Sequence, residues 1–195
     1  MTRTHLLTGA GSGIGAALAQ RLNDRGDRLV LLVRTQERAR EVEAQWGERH
    51  RVEVVDLADG AAVTAVGKTL SQELGAIDSV VHCAGVVELG RVDELDASSW
   101  RQQLDVNLTA PALLTGAVLP ALRTSRGTVV FVNSTAGIIA NANWSAYAAS
   151  KHALRALADA LRAEEAEHGL RVTSVFPSRT ASAMQAKVRA QEGKD

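Results

Sequence analysis

The sequence predicts an α/β fold built on a doubly wound parallel sheet, and three observations carry that prediction. Short β-like runs alternate with longer segments of helical periodicity along the whole chain. Several of those runs, "RLVLLV" above all, are apolar at nearly every position, as strands covered on both faces are. The motifs that carry chemistry fall just after strands or at helix starts, where open α/β sheets bind ligands. Right-handed crossovers leave few windings, and the order 3-2-1-4-5-6 is the expected one. No Pro/Gly/Ser linker, repeat or low-complexity stretch divides residues 1–195, so they read as a single domain.

The elements follow in order. "HLLT" (5–8) is a short apolar run ending in glycines. "IGAALAQRLNDRG" (14–26) has helical spacing and a glycine stop. "RLVLLV" (28–33) is a buried strand, and "QERAREVEAQWG" (36–47) a charged amphipathic helix. "RVEVVD" (51–56) is the third strand, a helix follows at about 60–73, and "DSVVHCAG" (78–85) is the fourth strand. A long helix at about 97–122 carries Pro111 and is expected to bend there. "GTVVFVNS" (127–134) is the most β-like run, a helix spans about 145–168, and "LRVTSVF" (170–176) ends at Pro177. The polar tail, about 178–195, reads as a substrate-side loop.

Composition narrows the function. Lys+Arg and Asp+Glu are both 22, so the net charge is zero and a nucleic-acid partner is not expected. Cys83 is the single cysteine, which excludes an internal disulfide and a Cys-rich metal site; no metal is expected. No apolar run suggests a membrane span, and "MTRTHLLTGAGSG" does not resemble a signal peptide. A cytoplasmic, soluble protein is the expectation.

"TGAGSGIG" (8–15) lies between the first strand and the first helix. Glycines there let the backbone turn sharply and approach a pyrophosphate, with the helix N-terminus facing the anion. The spacing is Gly9, three residues, Gly13, one residue, Gly15, which is not the strict G-x-G-x-x-G; a ligand-free tight turn is the bland alternative. After the second strand comes Val33 and then Arg34, with Thr35 and Arg38 nearby. An acidic residue at this point usually takes the ribose hydroxyls of NAD, and an arginine can accept the extra phosphate of NADP. NADP(H) is therefore the expected cofactor and NAD(H) the second choice. Asp56 either faces the adenine or caps the following helix.

In "WSAYAASK" (144–151), Tyr147 and Lys151 are four residues apart and share a helix face. A free tyrosine has a pKa of about 10. A nearby ammonium favours the phenolate, so the spacing predicts a phenol tuned downward for acid–base work. Ser134 ends the strand "TVVFVNS", where its hydroxyl could bind a carbonyl oxygen beside the tyrosine. Asn107, in "LDVNLTAP", is a polar residue in an apolar stretch and needs partners if buried.

Together these residues resemble the classical short-chain dehydrogenase/reductase family from about Leu6 to Met184. "TGAGSGIG" looks like the family's TGxxxGxG loop, "CAG" (83–85) stands where it has Asn-Ala-Gly, and "VNLTAP", "VNSTAG" and "YAASK" match its catalytic segments. The resemblance implies a Rossmann fold and an NAD(P)-dependent oxidoreductase that interconverts a carbonyl and an alcohol by hydride transfer. It implies Tyr147 as general acid/base, Ser134 as the group that orients the oxygen, Lys151 as the residue that lowers the tyrosine pKa and holds the ribose, and Asn107 as the anchor of a water. It places Gly9, Ser12 and Ile14, with Gly13 and Gly15, on the cofactor, Asp56 and Leu57 at the adenine, Ala84 and Gly85 along the ribose, and Pro177, Thr180 and Ser182 beside the nicotinamide. A homodimer or homotetramer paired through the helices at 97–122 and 145–168 is implied as well.

Three departures stand out. Cys83 replaces the family's asparagine, Ser178 replaces a glycine after Pro177, and the family's C-terminal helix and seventh strand have no counterpart. "IIANANWSA" (138–146) is the expected pocket wall, with Ile138, Asn141, Asn143 and Trp144 as candidates, and His152 reads as structural. The alternative function is a non-catalytic nucleotide-sensing or scaffolding protein of the same fold. Epimerase or dehydratase chemistry uses the same Tyr-Lys pair but normally needs a larger C-terminal domain.

Overall fold

Leu6 and Leu7 show why the first run becomes a central strand. They are neighbours in β1 (Thr4–Thr8), point to opposite faces, and are both fully buried. Burial on two faces requires helices on both sides, which parallel connections supply. The computed structural model describes residues 2–47 and 49–192, with Ala183 described by its backbone alone. The other elements are α1 (Gly13–Asp24), β2 (Arg28–Val33), α2 (Gln36–Trp46), β3 (Arg51–Val54), α3 (Gly60–Leu74), β4 (Ser79–His82), α4 (Ala97–Leu104), α5 (Ala110–Ser125), β5 (Thr128–Val132), α6 (Ser145–Glu164), β6 (Arg171–Val175) and α7 (Ala183–Gln191).

The described strands form one six-stranded, all-parallel sheet in the order β3-β2-β1-β4-β5-β6, as the sequence predicts. Leu6, Val30, Val80, Val129 and Phe131 face one layer, packed by α3, α5 and α6. Leu7, Leu29, Leu31 and Val81 face the other, packed by α1 and α2. That second face thins toward the β6 edge: Val130 and Val132 are half-buried, and Val175 is 40% exposed. No strand follows β6 among the described residues.

The strands end earlier than the apolar runs do. β1 and β4 pair only as far as Thr8 and His82. Cys83–Gly85 and Ser134 leave the ladder and turn into the cleft at the carboxyl edge, while the Asn133 N–H still donates to the Val175 carbonyl. Likewise β3 stops at Val54, so Asp56 lies beyond it.

Along the long helix the α-helical hydrogen bonding is interrupted just before Pro111. The break falls one turn earlier, in a π-helical turn at Asp105–Thr109 where the Ala110 N–H bonds to the Asp105 carbonyl. Pro111 sits in the first turn of α5, where its missing N–H costs little. For the same reason, the carbonyl of Asn107 gets no α-helical donor from position 111. By length and composition the stretch Ala97–Ser125 could cross a membrane, although no uninterrupted apolar run marks it in the sequence. Here Leu114, Val118, Ala121 and Leu122 bury its apolar side against the sheet and α3. α6 stops at Glu164 rather than 168; the chain then turns through Gly169, whose φ is +72°.

The tail is a loop only as far as Ser182 and is helical from Ala183 to Gln191. Ser182 caps α7, accepting from the Gln185 N–H at 3.2 Å. Val188 anchors the helix, 5% exposed among Val87, Ala136 and Tyr147. Glu88 holds it from outside, accepting from Lys187 (2.7 Å) and Gln191 (2.9 Å). Residues 193–195, part of the predicted loop, lie outside the described residues.

Candidate active site

A cleft of about 870 Å³ opens beyond the carboxyl ends of the strands, where the strand order reverses between β1 and β4. Its floor is the glycine turn, with Gly9, Ser12, Gly13, Ile14 and Gly15 on the surface. Gly9 has φ +70°, and a Cβ there would meet the Ala84 backbone nitrogen at 2.6 Å. A Cβ on Gly15 would run into the Gly9 carbonyl. The turn is thus as tight as glycine allows, and α1 starts close under it. Ser12 stands at the N-cap of α1 but makes no capping hydrogen bond. By contrast, Thr35, Asp59, Asp96 and Ser182 each cap their helices. The first-turn N–H groups of α1 therefore lack a side-chain acceptor and face the cleft, which fits an anionic group such as a diphosphate.

Arg34, Asp56 and Leu57 line one end. Arg34 is exposed and makes no ion pair among the described residues. Arg38 lies over the turn, donating to the Gly11 carbonyl and to Glu41. The cap question at Asp56 is resolved by its neighbour: Asp59 caps α3, while Asp56 accepts from the Ala58 N–H at 2.9 Å.

Ala84 and Gly85 form the inner wall, with the Ala84 N–H donating to Thr8 Oγ1 at 3.2 Å. Cys83 also lines the cleft, and burial pushes its thiol up to about 11. Pro177, Thr180 and Ser182 form the opposite wall. Ser178, at the family's glycine position, is not among the residues with positive φ, so serine there carries no backbone strain.

Ser134, Tyr147 and Lys151 converge on this cleft. Ser134 Oγ accepts from the Ala136 N–H at 3.1 Å, which fixes the hydroxyl at the end of β5. Tyr147 and Lys151 are 6% and 3% exposed on one face of α6. Lys151 Nζ lies 5.8 Å from the centre of the tyrosine ring and donates to the Val132 carbonyl at 3.2 Å. The electrostatics depart from the expectation. Burial raises the Tyr147 pKa, with a hydrogen bond from Ser134 acting the other way. Burial also lowers Lys151 to about 8. Burial is the largest cause of both shifts, so the phenol is not tuned downward by its neighbour.

Asn107 does not line the cleft. It is 1% exposed behind Gly85, donates to the Val86 carbonyl and to Ser150 Oγ (2.9 and 3.0 Å), and accepts from the Val86 N–H (2.9 Å). Its amide is thus satisfied largely by backbone. Of the expected pocket wall, Asn141 and Trp144 reach the cleft, joined by Ile139 rather than Ile138. Asn143 is a turn residue (φ +68°) whose carbonyl accepts from the Gly90 N–H at 2.9 Å. Trp144 packs edge-on against Tyr147, their ring centres 5.8 Å apart. His152 is exposed, its Nδ1 2.9 Å from the Ala148 carbonyl.

Several contributors were not legible in the sequence. Asn133 donates to the Lys151 carbonyl (3.0 Å) and accepts from the Ser134 N–H (2.9 Å), tying the serine to the lysine's helix. Its place in "VNS" was the available signal. Gln185 and Val188 lay in a tail without decided structure.

Residues 3–193 match the model of a family described as short chain dehydrogenase. D-threitol dehydrogenase of Mycolicibacterium smegmatis is 35% identical over 177 residues, covering 89% of this chain and 68% of its own. An uncharacterised oxidoreductase of Staphylococcus saprophyticus is 32% identical over 177 residues, covering 88% and 76%. This chain spans 56% of the Xenopus laevis dehydrogenase/reductase SDR family member 7B, at 34% identity. Among solved structures, a putative NAD(P)-dependent gluconate 5-dehydrogenase from Beutenbergia cavernae, with NADP bound at low occupancy, superposes with a TM-score of 0.88 at 33% identity. It covers 98% of this chain and 78% of its own. A short-chain dehydrogenase from Shigella flexneri complexed with NADP gives 0.89 at 31% identity, covering 99% and 83%. On a match that runs almost from end to end, the chain belongs to the short-chain dehydrogenase family of oxidoreductases.

Proposed function

We propose that this protein is an NADP(H)-dependent oxidoreductase that interconverts a carbonyl and an alcohol, with Tyr147 as general acid/base. One observation carries the reading: Tyr147, Ser134 and Lys151 meet in the same cleft as a glycine turn whose helix N-terminus lacks a side-chain cap. When bound, the nicotinamide supplies or takes the hydride at the substrate carbon. Tyr147 gives its phenolic proton to the carbonyl oxygen in reduction. A phenol kept protonated by burial suits that direction. Ser134 donates to the same oxygen and holds it in place. Lys151, at about 8, gives up a proton near neutrality more readily than an exposed lysine, so it can return one to the tyrosine. Asn107, behind Gly85, braces the loop after β4 at Val86 and holds α6 through Ser150.

Arg34, which follows Val33 where a carboxylate would select NAD, supports NADP, as do the two NADP-bound relatives. The proposal extends to a cytoplasmic homodimer or homotetramer paired through α5 and α6, on family likeness alone; light scattering of the purified chain tests it. Ile139, Trp144, Val87 and Val188 give the substrate end apolar walls.

The test is consumption of NADPH, and separately NADH, over a panel of aldehydes, ketones and quinones, with Tyr147→Phe alongside. Loss of general acid catalysis predicts a kcat lower by at least about 100-fold, with NADPH affinity nearly intact. Undiminished turnover by the variant would refute the assigned role. Cofactor binding by the wild type without turnover would favour a nucleotide-sensing protein.

A further inference from the structure

The amide of Gln185 is a polar group that the site's chemistry leaves unused. Gln185 lies in the first turn of α7, and its side chain lines the cleft. Its amide nitrogen is closed off from solvent and has no hydrogen-bond partner among the described residues. Buried donors are nearly always paired, so an unpaired one at the wall of a binding cleft calls for an acceptor that the ligand brings. Three contacts locate it. Ser182, one turn earlier, faces the glycine turn: a Cβ on Gly13 would lie 3.4 Å from its Cβ. The Met184 methyl lies 3.8 Å from where a Cβ on Gly85 would be. Val188, three residues later and on the same helix face, packs with Tyr147. Gln185 therefore stands between the turn that faces a diphosphate and the tyrosine that faces the carbonyl. The Glu88 contacts to Lys187 and Gln191 hold the helix that presents it.

We propose that Gln185 binds the dinucleotide directly, turning its amide into the cleft and donating its N–H to an oxygen of the cofactor's nicotinamide half. This rests on the nicotinamide-dinucleotide reading above. An apolar side chain of similar length would fill the same space without an unpaired donor, so the amide is retained for binding rather than for the fold.

The experiment compares wild type, Gln185→Met and Gln185→Glu as full chains. NADPH dissociation constants come from nicotinamide fluorescence, and melting temperatures are read with and without NADPH. Gln185→Met should bind NADPH about tenfold more weakly, the loss expected for one hydrogen bond to a charged or polar oxygen. Its melting temperature without NADPH should equal or exceed that of wild type, and its NADPH-induced rise should shrink. Gln185→Glu replaces a donor by an anion and should bind more weakly still. An NADPH affinity within about twofold of wild type in Gln185→Met would overturn the inference, as would a clear drop in its melting temperature without NADPH. Failure of the wild type itself to bind NADPH or NADH would instead overturn the underlying reading, before any variant is compared.

Discussion

His82 is the group through which acid should weaken this fold. It ends β4 at 2% exposure, its Nε2 2.8 Å from Thr115 Oγ1 and its ring stacked on Phe131 at 5.1 Å. Burial, with a smaller contribution from the Lys151 charge, lowers its pKa from 6.5 to about 3. The unfolded chain therefore takes up the proton first as pH falls. Stability from this residue is present above pH 6.5, is lost as pH drops below it, and levels off only near 3. One proton over the two units from pH 6.5 to 4.5 costs about 2.7 kcal/mol. At this chain length that is a fall in Tm of roughly 5–10 °C. His82→Gln keeps an amide donor toward Thr115 and removes the titration. It loses the ring stacking at every pH, an offset of about 1 kcal/mol. Denaturant unfolding from pH 7.5 to 4.5 should then show the variant less stable at neutral pH and more stable at pH 4.5. His5 and His50 are also lowered by burial, but they are common to both proteins and cancel in the difference. Stability curves that stay parallel, their gap moving by less than about 0.5 kcal/mol, would refute the reasoning.

Two further predictions concern the cleft. Lys151 is held at about 8 rather than 10.5, so its buried ammonium costs the fold about 3 kcal/mol below pH 8. That cost fades as pH rises toward 10.5, where the unfolded chain loses its proton too. Lys151→Met should be more stable than wild type by about 2–3 kcal/mol at pH 7, less so at pH 9.5, and should lose turnover; denaturation at the two pH values checks it. Arg34→Asp should cut the preference for NADPH over NADH by at least about tenfold in kcat/KM, the worth of one charge-assisted phosphate contact. An unchanged ratio would move the phosphate contact to another residue, with Arg38 the next to test.

How legible the site was differs from residue to residue. Ser134, Tyr147 and Lys151 were readable because their positions follow from local rules: a strand end, and a helix face set by i, i+4 spacing. The glycine turn was readable because only glycine tolerates its backbone. Asn107 was found by type, but its place behind the wall was not, since that depends on a π turn and on Val86, 21 residues away. Asp56 remained open between two roles until Asp59 was seen to be the cap. α7 was missed because its short apolar signal, essentially Val188, becomes helix-stabilising only once packed on Tyr147 and Val87.

The sequence by itself determined the alternation of strands and helices and which residue types fall at the carboxyl edge, and it narrowed the strand order to a few windings. Hydrophobic period, glycine punctuation and crossover handedness are local constraints that one chain carries in full. Only the tertiary structure decided the protonation of the site. Whether a lysine lowers the pKa of a tyrosine depends on how much water each has lost. Here Tyr147 and Lys151 lose nearly all of it beneath Val132, Trp144 and Val188, and burial sets the direction of both shifts.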